Sequence, residues 1–281
     1  MIDMHVHYFP PAVFKAIWRY FETHTNGLWH INYRMSGEKQ REFLRAKGIE
    51  RFTTLVYAHK KDLAMRLNDF IARESALYPE LIAFGTLYAG DGALAQARTI
   101  FEEYRFFGIK LHPFVSGEEI DDERYFPAYE LMLHYGKILL CHPGSAPVYQ
   151  KYDGVLRIRR VLSAFPEMKL IIAHCGAYEY EPYQRLAEEF PHVYFDTAMN
   201  CVHTPVFEHN CPGPAFFQRF QDRVLFGTDF PNIPYDYQEQ IDSLKKLKLG
   251  EQIEKKIFKD NALSLLFSAD SGSTHRKENT G

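Results

Sequence analysis

Long apolar runs are missing from this chain. Those around 137–141 and 170–173 span only a handful of residues, far short of the ~20 needed to cross a bilayer. A signal peptide is not expected either, because residues 1–7 read MIDMHVH, with acid and His where a basic start and an apolar core would stand. Excess charge is missing too: 33 Lys+Arg against 36 Asp+Glu leave a formal net charge of −3. Such a chain has no global field to grip a phosphate backbone, so neither nucleic acid nor membrane is expected as a partner. Cysteine is sparse, at 141, 175, 201 and 211 only; without a secretion signal, that points to reduced thiols and a cytoplasmic location. No internal repeat is visible. At 281 residues the chain can bury about 70–75% of its unfolded surface, so it needs no disulfide or metal to hold its core.

Short β-branched or apolar runs recur instead, at 2–6, 52–57, 81–87, 108–112, 137–142, 168–174, 192–197 and 223–227. Most are continuous rather than alternating, as expected of strands covered on both faces in a parallel sheet. Amphipathic windows separate them. Residues 60–77, for example, set Leu63, Leu67, Phe70, Ile71 and Leu77 at helical spacing. Gly48, Gly108 and Gly136 stand where left-handed helix C-caps are expected, and Pro79, Pro166 and Pro191 where helices stop. Eight strands alternating with helices predict an α/β protein, a (β/α)8 TIM barrel with a closing helix over 251–267. A doubly wound sheet would want a Gly-rich turn after strand one, where this chain has His-Val-His-Tyr-Phe-Pro. One domain is expected over 1–267. The polar tail 268–281 (SADSGSTHRKENTG) has no periodicity and reads as disordered.

Barrel active sites lie at the carboxyl ends of the strands. Five strand ends here carry chemistry: His5 and His7, Lys110 and His112, His142, His174, and Asp229. Residues two apart on a strand share a face. Singly, each has a plain reading: a hydrogen-bonded His, a surface Lys, an Asp capping a turn. Together they place metal-competent groups at matching heights on independent strands. His and Asp are the ligands of a Zn-type site that keeps a position for water.

In this order the motifs IDMHVHYFP, GIKLHP (108–113), CHPG (141–144), AHCG (173–176) and LFGTDFP (225–231) resemble the amidohydrolase superfamily. They are similar to its amidohydrolase-related (amidohydrolase 2) branch, which also holds aminocarboxymuconate-semialdehyde decarboxylase-like enzymes. The resemblance covers nearly all of 1–267. It implies that His5 and His7 bind a principal divalent metal and that Asp229 binds it and handles the water proton. In single-metal members the strand-five His, here His142, is a further ligand, and the strand-six His, here His174, is the acid/base or polarising group. In two-metal members the strand-four Lys, here Lys110, is carboxylated and bridges the ions, while His142 and His174 hold the second. An unmodified Lys110 would instead orient substrate or pair with Asp229. One ion is expected, a second if Lys110 is carboxylated. Zn is favoured, with Mn, Fe, Co and Ni as alternatives.

The implied activity is a metal-dependent hydrolase in which metal-bound water or hydroxide attacks a carbonyl-type carbon of a small amide, lactone or ester. A non-oxidative decarboxylase or hydratase on the same scaffold is the alternative, and a barrel with a purely structural metal a third. His112 is expected either to touch substrate or to pack as a hydrogen-bonded His. Cys141 and Cys175 should face the helices as core thiols. Cys201, His203, His209 and Cys211 could bracket a structural Zn, though a plain loop is simpler. The 22–36 segment, with Trp29, His30, Tyr33 and Arg34, reads equally as a lid or a packed excursion. The aromatic-rich exterior suits a homodimer.

Overall fold

The computed structural model describes residues 1–25, 29–145, 153–203 and 210–271. Its strands are β1 Ile2–Asp3, β2 Arg51–Thr53, β3 Leu81–Ile82, β4 Phe84–Gly85, β5 Gly108–Leu111, β6 Ile138–Cys141, β7 Lys169–Ile172, β8 Val193–Asp196 and β9 Val224–Leu225. Every pairing is parallel. β3 and β4 are one run interrupted at Ala83: β3 pairs with β2 and β4 with β5, while Ala83 C=O accepts the Phe107 N–H at 3.0 Å. Backbone bonds also join the two ends of the series. Met4 N–H donates to Phe226 C=O, Asp229 N–H to His5 C=O and His7 N–H to Phe230 C=O, each at 2.8 Å. The eight expected strand positions are thus all occupied, as a barrel. The regular ladders are shorter than the apolar runs, because only part of each run has a partner at its own height.

Alternation along the strands divides the core. Ile82 and Phe84, Ile138 and Leu140, Ile171 and Ala173 form an inner cluster with Ile2, Met4 and Leu225. Ile109, Leu139, Cys141, Leu170, Ile172, Val193 and Phe195 join the layer between sheet and helices. Cys141 and Cys175 are free and buried in that layer, as expected. The closing helix runs through Glu251–Lys255, Lys256–Asp260 and Asn261–Ser271, and its Ala262, Leu265 and Leu266 pack into the inner cluster.

Several expectations need correction. The helix continues to Ser271, four residues into the segment expected to be irregular; the Lys169 ammonium holds Ser268 C=O at 2.9 Å. The rest of that tail, 272–281, lies outside the described residues. Gly48 and Gly136 are left-handed as expected, but Gly108 is the first residue of β5. It is glycine for closeness: a Cβ there would stand 2.1 Å from Ile138 O. Cys201 and Cys211 form a disulfide, so only two of the four cysteines are reduced thiols, and both candidate Zn thiolates of that loop are taken. The cysteine argument for a cytoplasmic location goes with them. His203 is described and donates its backbone N–H to Glu239; His209 lies outside the described residues. Two helices, Pro11–His24 and Gly37–Ala46, occupy sequence where none was expected, so 22–36 is partly helical. Among the described residues no helix is long and apolar enough to cross a membrane.

Candidate active site

The carboxyl ends of the strands converge on one cleft with about 670 Å³ of atom-free space, its mouth included. His5, His7, Lys110, His112, His142, His174 and Asp229 all line it. The candidate metal, catalytic and substrate residues read from the sequence are therefore brought to one place. The chain folds locally to achieve this. It leaves extended geometry after β7, with His174 at φ 56°, and again after β9, with Asp229 at φ 68°, a left-handed region uncommon for side-chain-bearing residues and concentrated at functional sites. The Asp196 carboxylate accepts the His174 N–H at 2.9 Å. Asp229 is fixed by its N–H to His5 C=O and by the Asn232 N–H on its own C=O at 3.2 Å.

The imidazoles are oriented by their outer nitrogens. Leu55 C=O lies 3.2 Å from His7 Nδ1 and Ala198 C=O 3.0 Å from His174 Nδ1. A carbonyl only accepts, so both Nδ1 atoms carry the proton. His5 Nδ1–H donates to Asp196 Oδ2 at 2.8 Å. The three Nε2 lone pairs therefore turn inward. Asp229 Oδ1 stands 2.8 Å from His7 Nε2 and 3.2 Å from His5 Nε2, and ligand atoms of His5, His174 and Asp229 lie within 4.8 Å of one another. A carboxylate oxygen that close to bare nitrogen lone pairs is repelled unless a cation or proton lies between them. The donor set thus fits a divalent metal of Zn-like preference, and the Asp196–His5 contact is the outer support that orients such ligands.

Lys110 Nζ and His112 Nδ1 have no such support. Lys110 is fully buried, and its Nζ has no hydrogen-bond partner. Burial pushes its pKa down, while the charges of Asp196 and Asp229 oppose the shift. His112 stacks on His142 with ring centroids 4.3 Å apart; its Nδ1 is buried and unpaired, and burial with the neighbouring His142 drives its pKa well down. His142 Nδ1 faces the His174 Nε2 lone pair at 3.0 Å. Burial, reinforced by His5, lowers His174 to about 4. Burial also works to raise both carboxylates, but the histidines win: His5 pulls Asp196 to about 2, and His7 and His5 hold Asp229 well below the carboxylate range. His7, His112 and His174 are thus biased toward the neutral imidazole. His5 is shifted the other way, the effect of burial being outweighed by the Asp196 carboxylate. The amine of Lys110 is biased toward neutrality beside two ionised carboxylates.

Sequence reasoning missed Asp196, Asn200, Asn232 and Tyr57. Asp196 had one signal, an acid ending the apolar run HVYFD at a strand's carboxyl end. Of the 22–36 segment, Trp29 is buried and lines the cleft, its Nε1–H donating to Asn232 C=O at 2.7 Å. Tyr33 receives the Tyr237 N–H, while Arg34 pairs with Glu22 and His30 is exposed.

A closed parallel barrel with His, Asp and Lys gathered at one end defines a metal-site enzyme class. The amidohydrolase family profile matches residues 2–267, and the chain belongs to that family. Among solved structures it is similar to an uncharacterized TIM-barrel protein from Bordetella bronchiseptica, with 20% identity over 96% of this chain and 99% of that one, TM-score 0.72. It is also similar to 5-carboxyvanillate decarboxylase from Novosphingobium aromaticivorans, solved with manganese and 4-hydroxy-3-methoxy-5-nitrobenzoic acid, at 16% identity, 95% of each chain and TM-score 0.69. Dihydroorotase from Campylobacter jejuni matches at 15% identity over 94% of this chain and 82% of that one, TM-score 0.57. These likenesses carry the fold. None of the curated proteins matches the chain in sequence.

Proposed function

We propose that the chain is a metal-dependent hydrolase acting on a carbonyl-type carbon of a small amide, lactone or ester. The observation that carries this reading is the Lys110 amine, fully buried and unpartnered beside the cluster of His and Asp. A neutral amine there is the form that takes up CO2, and the resulting carbamate would answer the unpaired position with a second carboxylate. His5, His7 and Asp229 would hold a principal divalent ion, and Lys110, His142 and His174 a second. Zn suits the His/Asp donors. The bound metal supplies Lewis acidity and makes water acidic enough to ionise near neutral pH. Asp229, ionised and fixed by its backbone, accepts the proton of the attacking water and returns it to the leaving group. His174, held by Ala198 C=O with its Nε2 lone pair turned inward, would serve in this reading as a ligand of the second ion.

Asp229→Asn should abolish turnover against a panel of amides, lactones and esters and weaken the hold on the principal ion, while the fold survives. Substantial residual turnover with metal retained would contradict the role.

The second reading is a non-oxidative decarboxylase. Its support is the aromatic part of the wall, Phe21, Trp29, Tyr57 and Tyr178, which would suit an aromatic acid. Release of CO2 from such acids, with no hydrolysis of the panel, would favour it. Under either reading the partner is a small molecule, and a homodimer is the assembly we propose.

A further inference from the structure

The fold uses the ring of Tyr57 and leaves its hydroxyl free. Tyr57 ends the second apolar run, FTTLVY. Leu55, two residues earlier, packs in the inner cluster, and its backbone is tied to strand one. Its N–H donates to Val6 C=O at 2.8 Å, and its C=O accepts the Tyr8 N–H at 3.3 Å and His7 Nδ1–H at 3.2 Å. Residues two apart on a strand point the same way, so Tyr57 stands one layer above Leu55, at the cleft its side chain lines. Three rings hold it in T-shaped contacts, with centroids at 5.3 Å for His7, 5.0 Å for Phe9 and 5.2 Å for His112. A phenylalanine would pack there equally well.

The most buried tyrosines of this protein give their hydroxyls to definite acceptors. Tyr8 donates to Glu74, Tyr125 to Glu118, Tyr129 to Ile120 C=O, Tyr183 to Pro143 C=O and Tyr237 to Asp3. The Tyr57 hydroxyl has no partner among the described residues; burial and then the Asp229 charge act on it, and both keep the phenol protonated. Nor is it sealed away. The buried unpartnered atoms of the cleft residues are Lys110 Nζ, His112 Nδ1, Asn200 Oδ1 and Asn232 Oδ1, and Tyr57 Oη is not among them. It keeps accessible surface on the cleft. His7, one of the rings that clamp it, is also the residue whose Nε2 lies 2.8 Å from Asp229 Oδ1. A free phenol thus stands beside the cluster of His and Asp.

We infer that Tyr57 is a catalytic residue whose hydroxyl donates a hydrogen bond to the substrate oxygen that gains negative charge as the carbonyl carbon is attacked. The phenol keeps its proton throughout, so no bond to it breaks. A donor aimed in advance at an oxygen whose charge is growing binds the transition state more tightly than the ground state. The ring contacts supply that aim, since they fix the phenol before any ligand arrives. The step it assists rests on the hydrolase reading; its place as a donor to a ligand oxygen rests only on the cleft.

The test is Tyr57→Phe, which keeps the ring and removes the oxygen. Phenylphosphonate, with tetrahedral charged oxygens on a flat ring, is titrated by ligand-observed NMR into parent and variant as purified. The parent should bind it, and the variant should bind it about 10- to 100-fold more weakly, the range for losing a hydrogen bond to a charged acceptor. Metal content and melting temperature should match. For any amide, lactone or ester that the parent turns over, kcat of the variant should fall by about 100-fold or more while KM stays within about threefold. A parent that does not bind phenylphosphonate, a variant that binds it as tightly, or a variant with the parental kcat overturns the inference. Failure of the hydrolase reading would show differently, as CO2 release without hydrolysis, and the phosphonate titration would still decide whether Tyr57 is the oxygen donor.

Discussion

Asp196 touches no cleft atom that reacts, yet it holds two of the histidines that do. One oxygen takes His5 Nδ1–H, and the other takes the backbone N–H groups of His174 and Ala198. Asp196→Asn keeps the shape, loses the charge and sets an amide N–H against His5 Nδ1–H. It should reduce metal affinity by about 10- to 100-fold, as loss of an outer carboxylate does, measured by competition with a chelator, while the fold survives. Unchanged metal affinity would remove Asp196 from the site. At this scale the sequence was informative where a residue type is rare at a strand end: His5, His7, Lys110, His142, His174 and Asp229 announce themselves that way. It was silent on Asn232 and Asn200, because an Asn in a turn is ordinary and only the three-dimensional account of partners shows that each keeps a buried Oδ1 without one.

At the scale of elements, apolar runs located all eight strand positions because burial on both faces leaves a strong, short signal. The helices Pro11–His24 and Gly37–Ala46 were missed because each buries only a narrow stripe: Phe14 in the first, Gln40, Arg41 and Leu44 in the second. Gly108 was misread as a cap because the sequence shows a glycine's position but not the atom that excludes a side chain. Gly108→Ala would press a methyl onto Ile138 O, a backbone atom that cannot swing away. Its destabilisation should reach or exceed the top of the ~1–3 kcal/mol usual for overpacking, read by denaturant unfolding. The disulfide gives a separate expectation. Cys201 and Cys211 close a loop of sequence separation 10, and chain entropy assigns such a bridge roughly 2–3 kcal/mol. Cys201→Ser should lower unfolding stability by about that amount under non-reducing conditions. Equal stability of variant and parent would mean the bridge does not form in solution.

The whole molecule separates stability from chemistry by its two ends. The closing helix feeds Ala262, Leu265 and Leu266 into the inner apolar cluster, and the ionisable residues gather at the carboxyl ends of the strands. The order of motifs along the chain made the barrel and its family legible before any coordinate, since each motif falls at one strand end in turn. The reaction was not legible, because it depends on how many ions the cluster holds and on what the rest of the cleft admits. The most direct measurement is therefore metal content per chain by elemental mass spectrometry, on protein grown without added metal and again with Zn or Mn plus bicarbonate. The account predicts close to two ions per chain after loading, falling to about one in Lys110→Ala. No ion under any condition would contradict the metal centre, and one ion in both parent and variant would contradict the bridging role of Lys110 and turn the balance toward decarboxylation.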